Sequence, residues 1–114
     1  MKSKSFVHAS GLEWEKAGDG VRRKILGYTP GIMMVRVEFR KGAAGYVHTH
    51  PHRQVTIVES GKLRVEIEGK TSGLLAGDCF MVEPDVPHGV EMLEDGFLID
   101  VFTPAREDFL EGMT

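Results

Sequence analysis

The sequence predicts one all-β domain, a sandwich or barrel, with a short C-terminal helix. Three observations lead there. Glycine, 14 of 114 residues, is spread evenly and divides the chain into short segments. Those segments alternate apolar with polar residues or run β-branched, and glycine, proline or aspartate turns separate them.

In chain order, "VRRKIL" is the first expected strand, after an N-terminal arm of about residues 1–20. "IMMVRVEFRKG" sets Val35, Val37 and Phe39 against Arg36, Glu38 and Arg40, so one face is apolar. "GYVHTH" and "QVTIVES" follow, and "KLRVEIEG" sets Leu63, Val65 and Ile67 against Arg64, Glu66 and Glu68. "CFMVE", "HGVEML" and "FLIDVF" complete about nine short strands, with turns at "SGK", "EGK", "AGD", "PDVP" and "EDG". For the helix, Thr103 is the expected cap and Pro104 the first helical residue, with "AREDFLEG" running to Gly112.

A chain of 114 residues is long enough for one core and too short for two, so residues 1–114 form a single domain. Hydrophobic residues at 41% and charged residues at 27% are ordinary for a globular protein. No apolar run approaches the roughly 20 residues of a membrane span. The net charge of -3 argues against a nucleic-acid partner, whose phosphates call for a basic surplus. An N-terminus without a signal-peptide core and a single cysteine, Cys79, point to the cytoplasm.

The chemistry concentrates in "YVHTHPHRQVTIVESG", residues 46–61. Residues two apart on a strand share a face, so Tyr46, His48, His50, Gln54 and Thr56 can point together, depending on the bend at Pro51. Neutral imidazole is the commonest metal-binding side chain, and a site needs three or four ligands from different segments. His88, following the proline turn in "EPDVPHGV", is the candidate third histidine. A solvated histidine-rich turn and a structural histidine after proline fit the same spacing. His8 reads as surface, Cys79 as a buried inert thiol, and Met33, Met34, Met81 and Met92 as core or subunit-interface packing. Trp14 is expected to cover a barrel end or a partner subunit.

Gly42, His48, His50, Gln54 and Gly61 have the spacing of the first cupin motif, over residues 42–61. Gly77, Asp78, Pro87 and His88 resemble the second, over residues 77–92. Most cupins carry glutamate where Gln54 stands. Glu83 and Asp85 replace the usual proline and glycine, which puts the shape of that turn in question. The resemblance implies a double-stranded β-helix, the jelly-roll cupin barrel. It also implies a divalent metal, nickel, zinc, iron, manganese or copper, on His48, His50, Gln54 and His88, with His52 at the rim.

Cupin barrels host many activities. "GVRRKILGY", "HTHPHRQVT" and "LIDVFTPAREDFL" resemble the KdgF group of single-domain cupins, from about Gly20 to Leu110. That group opens 4,5-unsaturated monouronates from pectin or alginate breakdown to linear keto acids. The resemblance implies a metal-dependent isomerase or tautomerase. It places Asp100 as general acid/base, Arg106 on the substrate carboxylate and Phe102 as an apolar wall. Each has a plainer reading as well: a strand-end aspartate, a helix arginine paired with Glu107 or Asp108, and a core phenylalanine. Tyr46 is a further possible donor to substrate. A small cupin dioxygenase and a non-catalytic sugar-acid sensor are the competing functions. Small cupins are usually dimers, and the alternating Val55 and Ile57 could face a neighbouring sheet.

Overall fold

The computed structural model describes residues 1–111. Its strands are β1 (Glu15–Gly18), β2 (Val21–Thr29), β3 (Ile32–Phe39), β4 (Ala44–His48), β5 (Arg53–Ile67), β6 (Lys70–Leu75), β7 (Cys79–Val82) and β8 (His88–Thr103). They form an antiparallel jelly roll ordered β1-β2-β3-β8-β5-β6, with β4 beside β8 and β7 beside β5.

Two strands are far longer than the sequence pattern indicated. "SGK" and "EDG" are not turns. β5 continues through Gly61 and β8 through Gly96, and their register shifts between Val58 and Leu63. β5 and β8 therefore bend together, and each contributes one half to each layer. Residues 53–60 of β5 pair with residues 97–103 of β8, next to β3 and β7, while residues 62–67 pair with residues 88–94, next to β6 and β4.

Glycine is required where the two strands bend. Gly61 has a φ of 87°, and a Cβ there would lie 2.6 Å from the Asp95 carbonyl oxygen. A Cβ on Gly96 would overlap the Ser60 carbonyl. β1 and β6 were not legible as strands. β6, "KTSGLL", is exposed along nearly its whole length and lacks apolar alternation.

The core lies between the layers. Met33, Val35, Val37 and Phe39 of β3 meet Val58, Leu63 and Val65 of β5, Phe80 and Val82 of β7, and Met92 and Leu98 of β8. Burying each large side chain is worth about 2 kcal/mol. Met33 and Met92 are buried, whereas Met34 and Met81 are outward and 42% and 56% exposed. Cys79 is exposed, against the expectation of a buried thiol, because alternation along β7 turns Phe80 and Val82 inward instead. Trp14 packs on Phe97 with Arg22 and Lys24 over its ring.

The helix is shorter than expected. Thr103 ends β8 rather than capping, and α1 spans Glu107–Leu110 with Arg106 in the cap position. Ala105 is 2% exposed and donates its N–H to the Pro30 carbonyl, holding the preceding chain out of helix. Gly112, the expected stop, lies outside the described residues.

The substitution Gly96→Ala is expected to lower stability by about 2–4 kcal/mol, because backbone rather than a movable side chain blocks the methyl group. A urea midpoint unchanged from the parent would contradict this close approach.

Candidate metal centre and acid/base site

The site grows from the two loops that the barrel brings together. β4 delivers His48, Pro51 breaks the strand, and β5 resumes at Arg53. On the other side the turn over residues 83–87 leads into His88 at the start of β8, where it pairs with His48 across the β4–β8 ladder. The turn forms despite the substitutions at positions 83 and 85. Asp85 itself adopts the left-handed conformation, with a φ of 64°, that glycine otherwise supplies. Its N–H donates to the His50 carbonyl at 2.9 Å and ties the two histidine-bearing segments together.

His48, His50 and His88 each offer a ligand atom within 4.8 Å of the others, so the three could hold a metal ion. Two rings are oriented by their own chain. Nδ1 of His48 meets the Tyr46 carbonyl at 2.8 Å, and Nδ1 of His88 meets the Val86 carbonyl at 2.9 Å. A carbonyl only accepts, so each Nδ1 carries the proton and each Nε2 presents a lone pair. Burial is the main cause that lowers the pKa of His50 and of His88, with the positive charge of Arg106 acting in the same direction. Both effects favour the neutral form of the ring, the form in which imidazole binds metal.

Gln54 is buried opposite Phe102, and its amide polarity is set by its neighbours. Nε2 donates to Thr56 Oγ1 at 2.9 Å and to Asp100 Oδ1 at 3.2 Å, which turns Oε1 towards His50. His50 Nε2 and Gln54 Oε1 lie 3.0 Å apart. An amide oxygen only accepts, so the ring N–H donates to it, and the two side chains face the same point beside His48 and His88. His50 Nδ1 is buried without a hydrogen-bond partner. Three imidazoles that converge in this way could hold a divalent transition metal, and the Gln54 amide oxygen lies beside them.

Behind Gln54 lies Asp100, paired with fully buried Thr56 across the β5–β8 ladder. The Thr56 hydroxyl donates to the Asp100 carboxylate. Burial pushes the Asp100 pKa up to about 6, against the hydrogen bonds of Thr56 and Gln54 and the charges of Arg106 and Arg23. Phe102, two residues on and 2% exposed, sits edge-on to His50, His52 and Phe109, as a wall behind the histidines.

Arg106 lines a cleft of about 570 Å³ with Thr49, His50, His52, Glu107 and Asp108. Its guanidinium lies over the Phe102 and Phe109 rings, at 5.0 and 4.2 Å from their centroids, and is bonded twice to Asp108. Those bonds hold the Asp108 carboxyl below its usual range. His52 stacks on the outer side of His50, at the rim. Tyr46 does not join them. It is 86% exposed and lines a separate groove with Arg64 and Glu91, because the β4–β8 register shifts between Gly45 and His48.

Sequence reasoning gave no role to Arg23 or Phe109. Arg23 lies between Val21 and Ile25 on the inward face of β2, opposite buried Val37, and its guanidinium sits 3.7 Å from the Phe109 ring centroid. A lone cation in an otherwise apolar rank was the available signal.

A double-sheet barrel with a histidine-centred site in its mouth defines a cupin, and the chain belongs to that family: residues 35–102 match the cupin domain. Among individual proteins, it is 46% identical over 99 residues to the pectin degradation protein KdgF of Dickeya dadantii, covering 85% of this chain and 90% of that one. The crystal structure of an RmlC-like cupin from Shewanella frigidimarina superposes with a TM-score of 0.92 at 44% identity, covering 95% of this chain and 97% of that one. The structure of KdgF from Halomonas sp. gives 0.90 at 38% identity, covering 95% of this chain and all of that one. Among the described residues, no helix is long and apolar enough to cross a membrane.

Metal titration is expected to show about one ion per chain. At a free concentration of a hundred times Kd, the ion should stabilise the fold by about 2.7 kcal/mol. His88→Ala is expected to abolish that stabilisation; a variant that still gains it would remove His88 from the ligand set.

Proposed function

We propose that this protein ketonises 4,5-unsaturated monouronates released by pectin or alginate breakdown, as a metal-dependent isomerase acting in the cytoplasm. The observation that carries the reading is the Asp100 carboxyl. Its pKa of about 6 is matched to proton transfer near neutral pH, and it is bonded to the amide that faces the histidines. The 46% identity to a pectin degradation protein supports it.

The substrate is a cyclic enol ether and hemiacetal carrying a carboxylate. Ring opening breaks the bond from C1 to the ring oxygen. The anomeric hydroxyl loses its proton to leave an aldehyde at C1, and C4 gains one as a ketone forms at C5. Atoms and electrons balance with no oxidant. Asp100 exchanges these protons, and Thr56 and Gln54 hold its carboxyl in place. Arg106 binds the substrate carboxylate through its planar fork. Phe102, 2% exposed and edge-on to His50, forms the apolar wall behind the ring.

A divalent transition metal on His48, His50, Gln54 and His88 would polarise the substrate oxygens. Gln54 is neutral, so the ligand set leaves that positive charge uncompensated and favours an acidic sugar. Metal-loaded protein is expected to bleach the absorbance of a 4,5-unsaturated galacturonate or guluronate faster than the spontaneous reaction, without oxygen uptake. Asp100→Asn should lose about 10²–10⁴ in rate while retaining metal, and Arg106→Ala should raise KM. Bleaching at the spontaneous rate would end the enzymatic reading, and oxygen consumption would favour a dioxygenase.

We also propose a homodimer through the outer face of β3, β8, β5 and β7. Cross-strand register aligns Met34, Val101, Val55 and Met81 in one rank and Ile99, Ile57 and Cys79 in the next. Val55, Ile57 and Met81 are 38%, 46% and 56% exposed. Arg36 continues the second rank and pairs with Glu59, and Arg53 pairs with Glu83 beyond the first, so the ranks are bordered by ion pairs already satisfied within one chain. Sedimentation should give a dimer, and a chain carrying both Val55→Glu and Ile57→Glu should sediment as a monomer. A monomeric parent protein would rule the interface out.

A further inference from the structure

We propose that Asp108 is an internal stand-in for the substrate carboxylate, holding donors of Arg106 in the ligand-free protein that an anionic sugar acid takes over on binding. This rests on the reading in which Arg106 receives that carboxylate. Arg106 Nε donates to one oxygen of Asp108 at 3.0 Å and Nη2 to the other at 2.8 Å. That is the two-point geometry with which a guanidinium grips any carboxylate.

The two partners differ in freedom. The Arg106 side chain is 14% exposed and lies over two rings, Phe102 and Phe109. Phe109 is braced from the barrel by Arg23, whose Nε is itself bonded to Glu15 at 2.7 Å. This chain of contacts runs from β1 through β2 to α1 and fixes the guanidinium independently of Asp108. The Asp108 side chain, by contrast, is 51% exposed. It can turn into water while Arg106 stays in place.

Exchanging one carboxylate for another conserves the charge-assisted bonds at the fork, so an acid can displace Asp108. A neutral sugar brings no carboxylate and cannot compensate the loss. Asp108 thus keeps the guanidinium satisfied until an acid arrives, at a cost in affinity for that acid. Glu107, on the same cleft wall, adds a second negative charge against which an incoming anion must compete.

The test is calorimetric titration of the metal-loaded protein with D-galacturonate, a saturated acid that cannot undergo the reaction, and with D-galactose as its neutral counterpart. Asp108→Asn and Asp108→Ala should each bind galacturonate about tenfold tighter, with galactose affinity unchanged. In turnover KM should fall by the same factor while kcat is retained. Galacturonate affinity that is unchanged or weaker in both variants would overturn the proposal and make Asp108 a residue that merely orients Arg106. Arg106→Ala separates the two levels. If it leaves galacturonate affinity intact, the carboxylate role of Arg106 fails; if it weakens binding while the Asp108 variants do not tighten it, only the stand-in fails.

Discussion

The structure depends on the close approach of two backbones at Gly61 and Gly96. β5 and β8 are the longest strands and pair along almost their whole length, from Arg53 opposite Thr103 to Ile67 opposite His88. A straight ribbon of that length would carry Gln54 and His88 far apart. Because neither glycine has a side chain, the strands fold over at their centre and face their two halves towards each other. The barrel, its core and the placing of both Gln54 and His88 against His50 follow from that bend.

Within the barrel, the polar groups adjoin one another. The imidazoles of His50 and His88 are buried, which disfavours their charged forms; beside them stands an amide whose direction is set by Thr56 and Asp100, and the half-buried Asp100 carboxyl is raised by desolvation. A buried carboxylate would be costly in isolation, and here hydrogen bonds and two distant arginines offset part of that cost. The apolar wall of Phe102 and Phe109 serves a second purpose, since the guanidinium of Arg106 lies against both rings.

Much of this was legible in the sequence, for identifiable reasons. The alternation in "IMMVRVEF" and "KLRVEI" predicted the strands and their buried faces, and the two-residue spacing of Asp100 and Phe102 placed them on one face. The spacing of histidines, glutamine and glycines carried the family. What escaped was non-local. Gly61 and Gly96 look like turn residues because sequence shows their permissive backbone but not the strand pressed against it. Cys79 was misplaced because one apolar neighbour does not reveal which face of an edge strand is inward. Arg23 and Phe109 are far apart in the chain, and nothing local to either announces that they stack.

The rings of His48 and His88 are each held by the carbonyl two residues earlier in their own chain. The nitrogens that would face a metal are thus chosen by short local loops. Metal exchange at a site so built would be a substitution on a finished scaffold rather than a folding event. The barrel should survive demetallation, accept a different ion on return, and take its working metal from the supply the cell maintains.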